Sequence, residues 1–330
     1  MKILAIRVGR AGDILMVTAA LKAILDKWPE AELHVLTSLD GKRVLKGFHE
    51  RLTHLIIYQR KGLKGVLQRY KVKKQINQTV YDQIFCFEMN KSFLKLLDGQ
   101  TAPIKQITQE DQVTNYAQRC LKIVCQADEM HDRWLYLPVT EQGKVLAREL
   151  LEQRDIHDDD FVIGLHPSFS GFRKLSFRNQ DARSQRGWPA ENFAKLANMF
   201  AGYAETQSRR IFVIMDLVPE DRALGETIVK LSHGKVIAFI PSLNFERYKA
   251  LLQRMDLLVT PNTGPMHIAA AVGTNLVALF AGYDPRDCGP YVPDSQYRIV
   301  RAEDTAEPER GLAAISPAAV FEACLDFLPS

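Results

Sequence analysis

The sequence lacks most of the features that would place it at a glance. Its N-terminus, Met1-Lys-Ile-Leu-Ala-Ile-Arg7, has neither the long apolar core nor the small-residue cleavage site of a secretory signal. The most hydropathic window, residues 266–283, is interrupted by Gly273-Thr274-Asn275, whereas a membrane span needs about 20 apolar residues without such a break. The five cysteines are odd in number, scattered, and include no Cys-x-x-Cys pair. That argues against a disulfide framework or a zinc site and fits reduced thiols in the cytoplasm. Neither Gly-x-Gly-x-x-Gly nor a phosphate-loop Lys-Ser/Thr occurs at Gly9-Arg-Ala-Gly12-Asp13, so that loop has no nucleotide-phosphate signature. A net charge of only +4 is too small to argue for nucleic acid.

What the chain does have is enough apolar residues for two cores: 46% of 330 residues are hydrophobic and 25% charged. Residues 2–8 form a β-prone run, Gly9 to Gly12 a turn, and residues 13–27 a helix with Ile14, Val17, Leu21, Ile24 and Leu25 at helical spacing. Strands follow at 33–37, 52–58 and 83–87, and the alternation restarts at residues 161–167 after the acidic break Asp158-Asp159-Asp160. Such alternation predicts parallel sheets covered by helices on both faces, in two doubly wound α/β halves. The expected division is 1–157, 158–312, and a closing helix in 313–330 that Ser316 and Pro317 begin.

Ligands of open α/β sheets bind at the carboxyl ends of strands. Three loops lie at such ends: residues 9–13, 166–188 and 261–267. In the third, Val259-Thr-Pro-Asn-Thr-Gly-Pro-Met-His267 reads as a strand end, a tight turn, and an alanine-rich helix beginning near Gly264. The unpaired N–H groups and positive dipole end of that helix suit an anion such as a pyrophosphate. Asp13 reads either as a helix cap or as a general base. His267 reads as a buried core histidine or a ligand contact. Glu220 reads as a first-turn acid or a ribose contact.

Between Glu50 and Asp82 there is no acidic residue, while Arg60, Lys61, Lys64, Arg69, Lys71, Lys73 and Lys74 are basic. This is either a solvated helix face or a patch for an anionic lipid surface. The segment lacks the interleaved aromatics of a single-strand nucleic-acid binder.

Taken in order, Gly12-Asp13, the His166-Pro167 strand end, Trp188-Pro189, and Asn262-Thr-Gly-Pro-Met-His267 with Gly273-Thr274 resemble glycosyltransferase family 9, the lipopolysaccharide heptosyltransferases. The resemblance covers nearly the whole chain. It implies an α/β GT-B architecture, two Rossmann-like domains facing across a cleft, with an acceptor-binding first domain, a donor-binding second domain, and a last helix that packs back on the first. It implies an inverting transfer of heptose from an ADP-linked donor, a nucleotide-sugar substrate, with no cofactor and no metal. Asp13 then matches the base. Arg186, Glu220, Asn262, Thr263, Gly264, Pro265, Met266 and His267 match the donor site, and Gly12, Arg60, Lys61 and Lys64 fall in the acceptor region. Asn262 stands where the family usually has Asp.

The resulting expectation is a cytoplasmic enzyme, peripheral on the inner membrane leaflet, with an anionic glycolipid acceptor and no nucleic-acid partner. A sugar-nucleotide 2-epimerase of the same architecture, or a non-catalytic paralogue that binds the sugar nucleotide or the lipopolysaccharide precursor, are the alternatives.

Overall fold

The computed structural model describes residues 1–59, 64–109, 113–168, 185–217, 221–239 and 244–329, and for 64–66 the backbone only. It divides into two compact units, Met1–Pro138 and Val139–Ser330.

The first unit is built on β1 (Lys2–Ile6), β2 (Glu32–Thr37), β3 (Leu52–Ile57), β4 (Gln83–Cys86) and β5 (Ile104–Gln106), all parallel, in the order β3-β2-β1-β4-β5. Ile3 to Ile6 of β1 are fully buried, as a central strand covered on both faces requires. The helices are α1 (Ala11–Leu15), α2 (Thr18–Lys27), α3 (Leu39–Leu45), α4 (Lys64–Asn77) and α5 (Tyr116–Lys122). The single helix expected at 13–27 is thus two. The Val17 N–H bonds to the Ile14 carbonyl at 3.2 Å, a tightened turn, and the Thr18 hydroxyl donates to the Leu15 carbonyl at 2.7 Å. These side-chain and backbone bonds compete with continuation of the helix. Strand β5 carries no apolar alternation and was not expected.

The second unit holds α6 (Glu141–Glu152), β6 (Phe161–Leu165), α7 (Ala190–Ala204), β7 (Ile211–Asp216), α8 (Arg222–Leu231), β8 (Val236–Phe239), α9 (Phe245–Arg254), β9 (Leu257–Pro261), α10 (Gly264–Val272), β10 (Asn275–Phe280), α11 (Pro285–Cys288), β11 (Tyr297–Arg301) and α12 (Pro317–Leu325). Its sheet runs β11-β10-β9-β6-β7-β8, again parallel throughout. Both sheets therefore have the doubly wound order, with the reversal between β1 and β4 in one and between β6 and β9 in the other.

Helix α6, expected in the first domain, belongs to the second unit. Thr140 caps it and donates to Glu246 at 3.1 Å, and a Cβ on Gly143 would lie 2.7 Å from the Glu246 carbonyl, so α6 and α9 pack at close range. The acidic break before β6 is pinned to the second unit. Arg254 donates to the carbonyls of His157, Asp158 and Asp160 at 2.7–3.2 Å, and Arg209 to those of Asp159 and Asp160 at 2.7 and 3.2 Å. The closing helix α12, expected on the first domain, seats Val320 and Cys324 in the core of the second unit beside Phe200, Leu312 and Ile315. Its start is as read: the Ser316 hydroxyl accepts from Ala319 N–H at 3.1 Å, with Pro317 in the first turn.

Candidate functional site

In the first unit the chain leaves β1 at Arg7 and leaves β4 at Phe87 and Glu88, on either side of the strand-order reversal. Asp13, the third residue of the short α1, turns its carboxylate back toward this point. Oδ2 accepts from the Arg10 N–H at 2.8 Å and Oδ1 from Arg7 Nη2 at 3.1 Å. The carboxylate therefore does help to cap α1, by accepting from the backbone N–H of the N-cap residue. Its side chain is nevertheless 46% exposed, so lone pairs remain for a ligand. The two readings of Asp13 are compatible.

Nothing local in the sequence announces what the fold assembles around it. The Arg7 guanidinium also donates to the Asp13 carbonyl at 3.2 Å and the Phe87 carbonyl at 3.3 Å, lies 3.5 Å from Glu88 Oε2, and stacks 4.4 Å from the Tyr116 ring centroid. Glu88 is buried and accepts from Val8 N–H at 2.7 Å. The Tyr116 hydroxyl donates to the Phe87 carbonyl. Burial acts to lower the Arg7 pKa, but the surrounding charges, those of Glu88 and Asp13 among them, outweigh it and hold the guanidinium above its ordinary value. Burial pushes the Tyr116 phenol up, so it is a neutral donor at any ordinary pH. Gly9 is required by contact: a Cβ there would fall 2.5 Å from both Cβ and Oδ2 of Asp13.

In the second unit the reversal lies between β6 and β9, and α10 begins directly beyond β9. Thr263 is its N-cap in an extended conformation, yet its side chain makes no capping hydrogen bond. The Thr263 hydroxyl sits 3.3 Å from that of Thr260 instead. Pro265 removes one donor, which leaves the N–H groups of Thr263, Gly264 and Met266 facing outward from the positive end of the helix. The Met266 side chain is fully buried, so what Met266 offers there is its backbone; His267 is 6% exposed. Asn262 closes the strand by donating its N–H to the Leu279 carbonyl at 3.0 Å, and its side-chain amide donates to Cys288 Sγ at 3.4 Å.

Beyond β6, the buried Ser168 hydroxyl has no hydrogen-bond partner among the described residues. A buried hydroxyl without one costs about 1–3 kcal/mol, which marks Ser168 as a place to look for a ligand. Its neighbour His166, also buried, bonds through Nδ1 to Asp216 at 3.0 Å, and Tyr248 donates to the same carboxylate at 2.8 Å. Arg186 packs its guanidinium 5.2 Å from the Tyr283 ring centroid, in the loop after β10. Two contacts set its position. Trp188 Nε1 donates to the Ile315 carbonyl at 2.9 Å, and Gly311 meets Gln185 so closely that a Cβ would lie 2.3 Å from Gln185 Cα.

Glu220, Arg60 and Lys61 lie outside the described residues, as does most of the 168–186 loop, and the Lys64 side chain is likewise outside; Lys64 opens α4. Along α4, Val72 and Ile76 are buried, Lys73 pairs with Asp98 at 3.0 Å, and Arg69, Lys71 and Lys74 are exposed together with Leu67 and Tyr70. Among the described residues, no group of three or more His, Cys, Asp or Glu is placed to hold a metal ion, and no helix is long and apolar enough to cross a membrane.

The pattern around β6, β9 and α10 is matched at the level of sequence. The family model for glycosyltransferase family 9 (heptosyltransferase) fits residues 136–316, more than half of the chain. This protein belongs to glycosyltransferase family 9. It is a glycosyltransferase with the GT-B fold. The lipopolysaccharide core heptosyltransferase OpsX of Haemophilus influenzae is 24% identical to it over 309 residues, 87% of this chain and 80% of that protein. Among solved structures, a family 9 glycosyltransferase from Veillonella parvula superposes with a TM-score of 0.77 at 19% identity, covering 98% of this chain and 95% of that one. The ADP-heptose lipopolysaccharide heptosyltransferase II of Escherichia coli does so with a TM-score of 0.71 at 18% identity, covering 98% and 97%.

Proposed function

We propose that this family 9 enzyme transfers heptose from ADP-L-glycero-D-manno-heptose, with inversion at the anomeric carbon, to the core oligosaccharide of a lipid A-linked acceptor. The observation that carries the reading is the uncapped N-terminus of α10 at the strand-order reversal of the second unit, within the segment the family model fits. The relatives named for ADP-heptose and for the lipopolysaccharide core supply the sugar and the acceptor class.

In this mechanism the acceptor hydroxyl oxygen attacks the anomeric carbon while Asp13 takes its proton, and the bond from that carbon to the β-phosphate oxygen breaks with its electron pair. Base assistance of this kind contributes about 10²–10⁴-fold. The charge that appears on the departing diphosphate is met by the N–H groups of Thr263, Gly264 and Met266, by the Ser168 hydroxyl and by Arg186. A single preorganised donor of this type is worth about 10²–10³ in rate. Glu220 is assigned to the ribose hydroxyls, Pro265 and His267 to the walls of the donor site, and Gly12 with Arg60, Lys61 and Lys64 to the acceptor. Asn262, neutral where the family usually carries Asp, offers both a donor and an acceptor to sugar hydroxyls. Because fixed cationic and N–H groups carry the diphosphate charge, no metal is required.

The exposed basic residues of α4, with Leu67 and Tyr70 among them, support contact with the anionic inner leaflet where such an acceptor resides. That contact predicts salt-sensitive binding to anionic vesicles, weakened by charge reversal at Arg69, Lys71 and Lys74. Binding indifferent to salt would return α4 to being a solvated face.

The functional reading is tested by thermal shift with ADP-, UDP- and GDP-sugars. A ligand at 100 times its Kd stabilises the folded state by about 2.7 kcal/mol. ADP-heptose should raise the melting temperature by several degrees and the other nucleotides should not; a preference for UDP-sugars would overturn the donor assignment.

A further inference from the structure

The guanidinium that holds Asp13 is shared with a second carboxylate. We propose that Arg7 and Glu88 form a clamp for Asp13: Arg7 positions its carboxylate, and Glu88, at the other end of the same guanidinium, shares the charge of Arg7. The proposal rests on the reading of Asp13 as the proton acceptor.

The geometry of Arg7 is that of a fixed part. Nη2 and Nε reach Asp13 Oδ1 at 3.1 Å and the Asp13 carbonyl at 3.2 Å, while Nη1 reaches the Phe87 carbonyl at 3.3 Å and Glu88 Oε2 at 3.5 Å. The flat face of the guanidinium lies against Tyr116, and its side chain is only 13% exposed. Only a planar fork of donors can serve so many acceptors from one position; an ammonium cannot. With Arg10 N–H on Oδ2 at 2.8 Å, each carboxylate oxygen of Asp13 has one fixed donor and a lone pair left over.

A cation in contact with a carboxylate favours its charged form and so makes it a poorer proton acceptor. Glu88 opposes this from the other end of the same guanidinium. It is anchored by Val8 N–H at 2.7 Å and is 8% exposed, so its charge is poorly screened by solvent. The Asp13 and Glu88 carboxylates thus share the one Arg7 guanidinium from its two ends.

The other groups that face Asp13 do not supply this balance. On α5, Cys120 is buried and Tyr116 half-buried, and loss of solvent drives both toward their neutral forms. Arg119 lies 5.2 Å from the Tyr116 ring centroid. On α3, which packs against α1, Asp40 and Arg43 face each other at 3.7 Å, and the Ser38 hydroxyl donates to the Gly9 carbonyl at 2.6 Å.

The test is the pH dependence of kcat/KM for Arg7→Met, Arg7→Lys, Glu88→Gln and Asp13→Asn, with calorimetric ADP affinity and melting temperature measured alongside. Arg7→Met should lower kcat at least ~10-fold, a share of what base catalysis supplies, with ADP affinity unchanged and the acid limb of the profile moved to higher pH. Glu88→Gln should move that limb to lower pH, since it leaves the whole guanidinium charge on Asp13. Arg7→Lys should keep the limb near its original place but not recover kcat, because charge returns without the fork. If Arg7→Met does not fold, the Arg7→Lys and Glu88→Gln pair decides.

Opposite shifts on removing the cation and the anion are the signature that a purely structural role would not produce. Unmoved limbs, or shifts in the same direction, would overturn the clamp while Asp13→Asn remained inactive. Near-normal turnover in Asp13→Asn would instead remove the base itself, and the clamp with it.

Discussion

Gly9 constrains Asp13 more narrowly than any charged partner does. Its missing Cβ is the space into which Asp13 Cβ and Oδ2 fold, at 2.5 Å. Because Asp13 Cβ moves only with its backbone, Gly9→Ala must shift the first turn of α1 as well as the carboxylate. The expected result is a fall in kcat of ~10-fold or more together with a lower melting temperature; a variant that retained its kcat would mean that the carboxylate's place is not what matters. At this scale the sequence was partly legible. Asp13 and the Asn262 to His267 turn announce themselves because their spacing to a strand end is local. Arg7 read only as a strand residue, while Glu88 and Tyr116 carried no signal, since their meeting depends on β1 pairing with β4 across some 80 positions of chain. Ser168 carries no signal in the sequence, since an unpartnered hydroxyl is a property of the fold alone.

At the scale of elements, two glycines in the second unit separate positioning from plain backbone strain. Gly273 ends α10 with φ of +89°, and nothing would meet a Cβ there. Gly273→Ala should cost about 1 kcal/mol for the left-handed conformation, a melting shift of ~2–4 °C in a unit of this size, with donor affinity untouched. Gly311 also has a positive φ, +60°, but its Cβ would strike the Gln185 backbone. Gly311→Ala should therefore both destabilise the unit and weaken ADP binding several-fold, because Arg186 follows Gln185 directly; equal ADP affinity in the two variants, measured by calorimetry, would separate Arg186 from the donor. The strand and helix alternation was readable, since buried parallel strands are apolar runs bounded by turns. The break at Val17 and the pinned turn at Asp158 to Asp160 were not. The first depends on a local hydroxyl bond and the second on Arg209 and Arg254, which arrive from distant elements.

For the molecule as a whole, the two sheets repeat one topology, and at the strand-order reversal the first unit has the Asp13 carboxylate and the second the N-terminus of α10. The doubly wound class followed from composition and alternation alone, whereas assignment of α6 and α12 to the second unit needed their packing partners. Since N–H groups, a hydroxyl and a guanidinium are assigned to the diphosphate, a chelator should leave the transfer rate unchanged; activity lost in EDTA and restored by magnesium would contradict that assignment. The most direct measurement is transfer from ADP-heptose to a lipopolysaccharide-core acceptor by the parent protein and by Asp13→Ala, with ADP affinity followed in both. The parent should form the glycoside with inverted configuration, and Asp13→Ala should lower turnover at least ~10-fold while it binds ADP as before. Near-normal turnover in Asp13→Ala, or isomerisation of the donor without transfer by the parent, would contradict it.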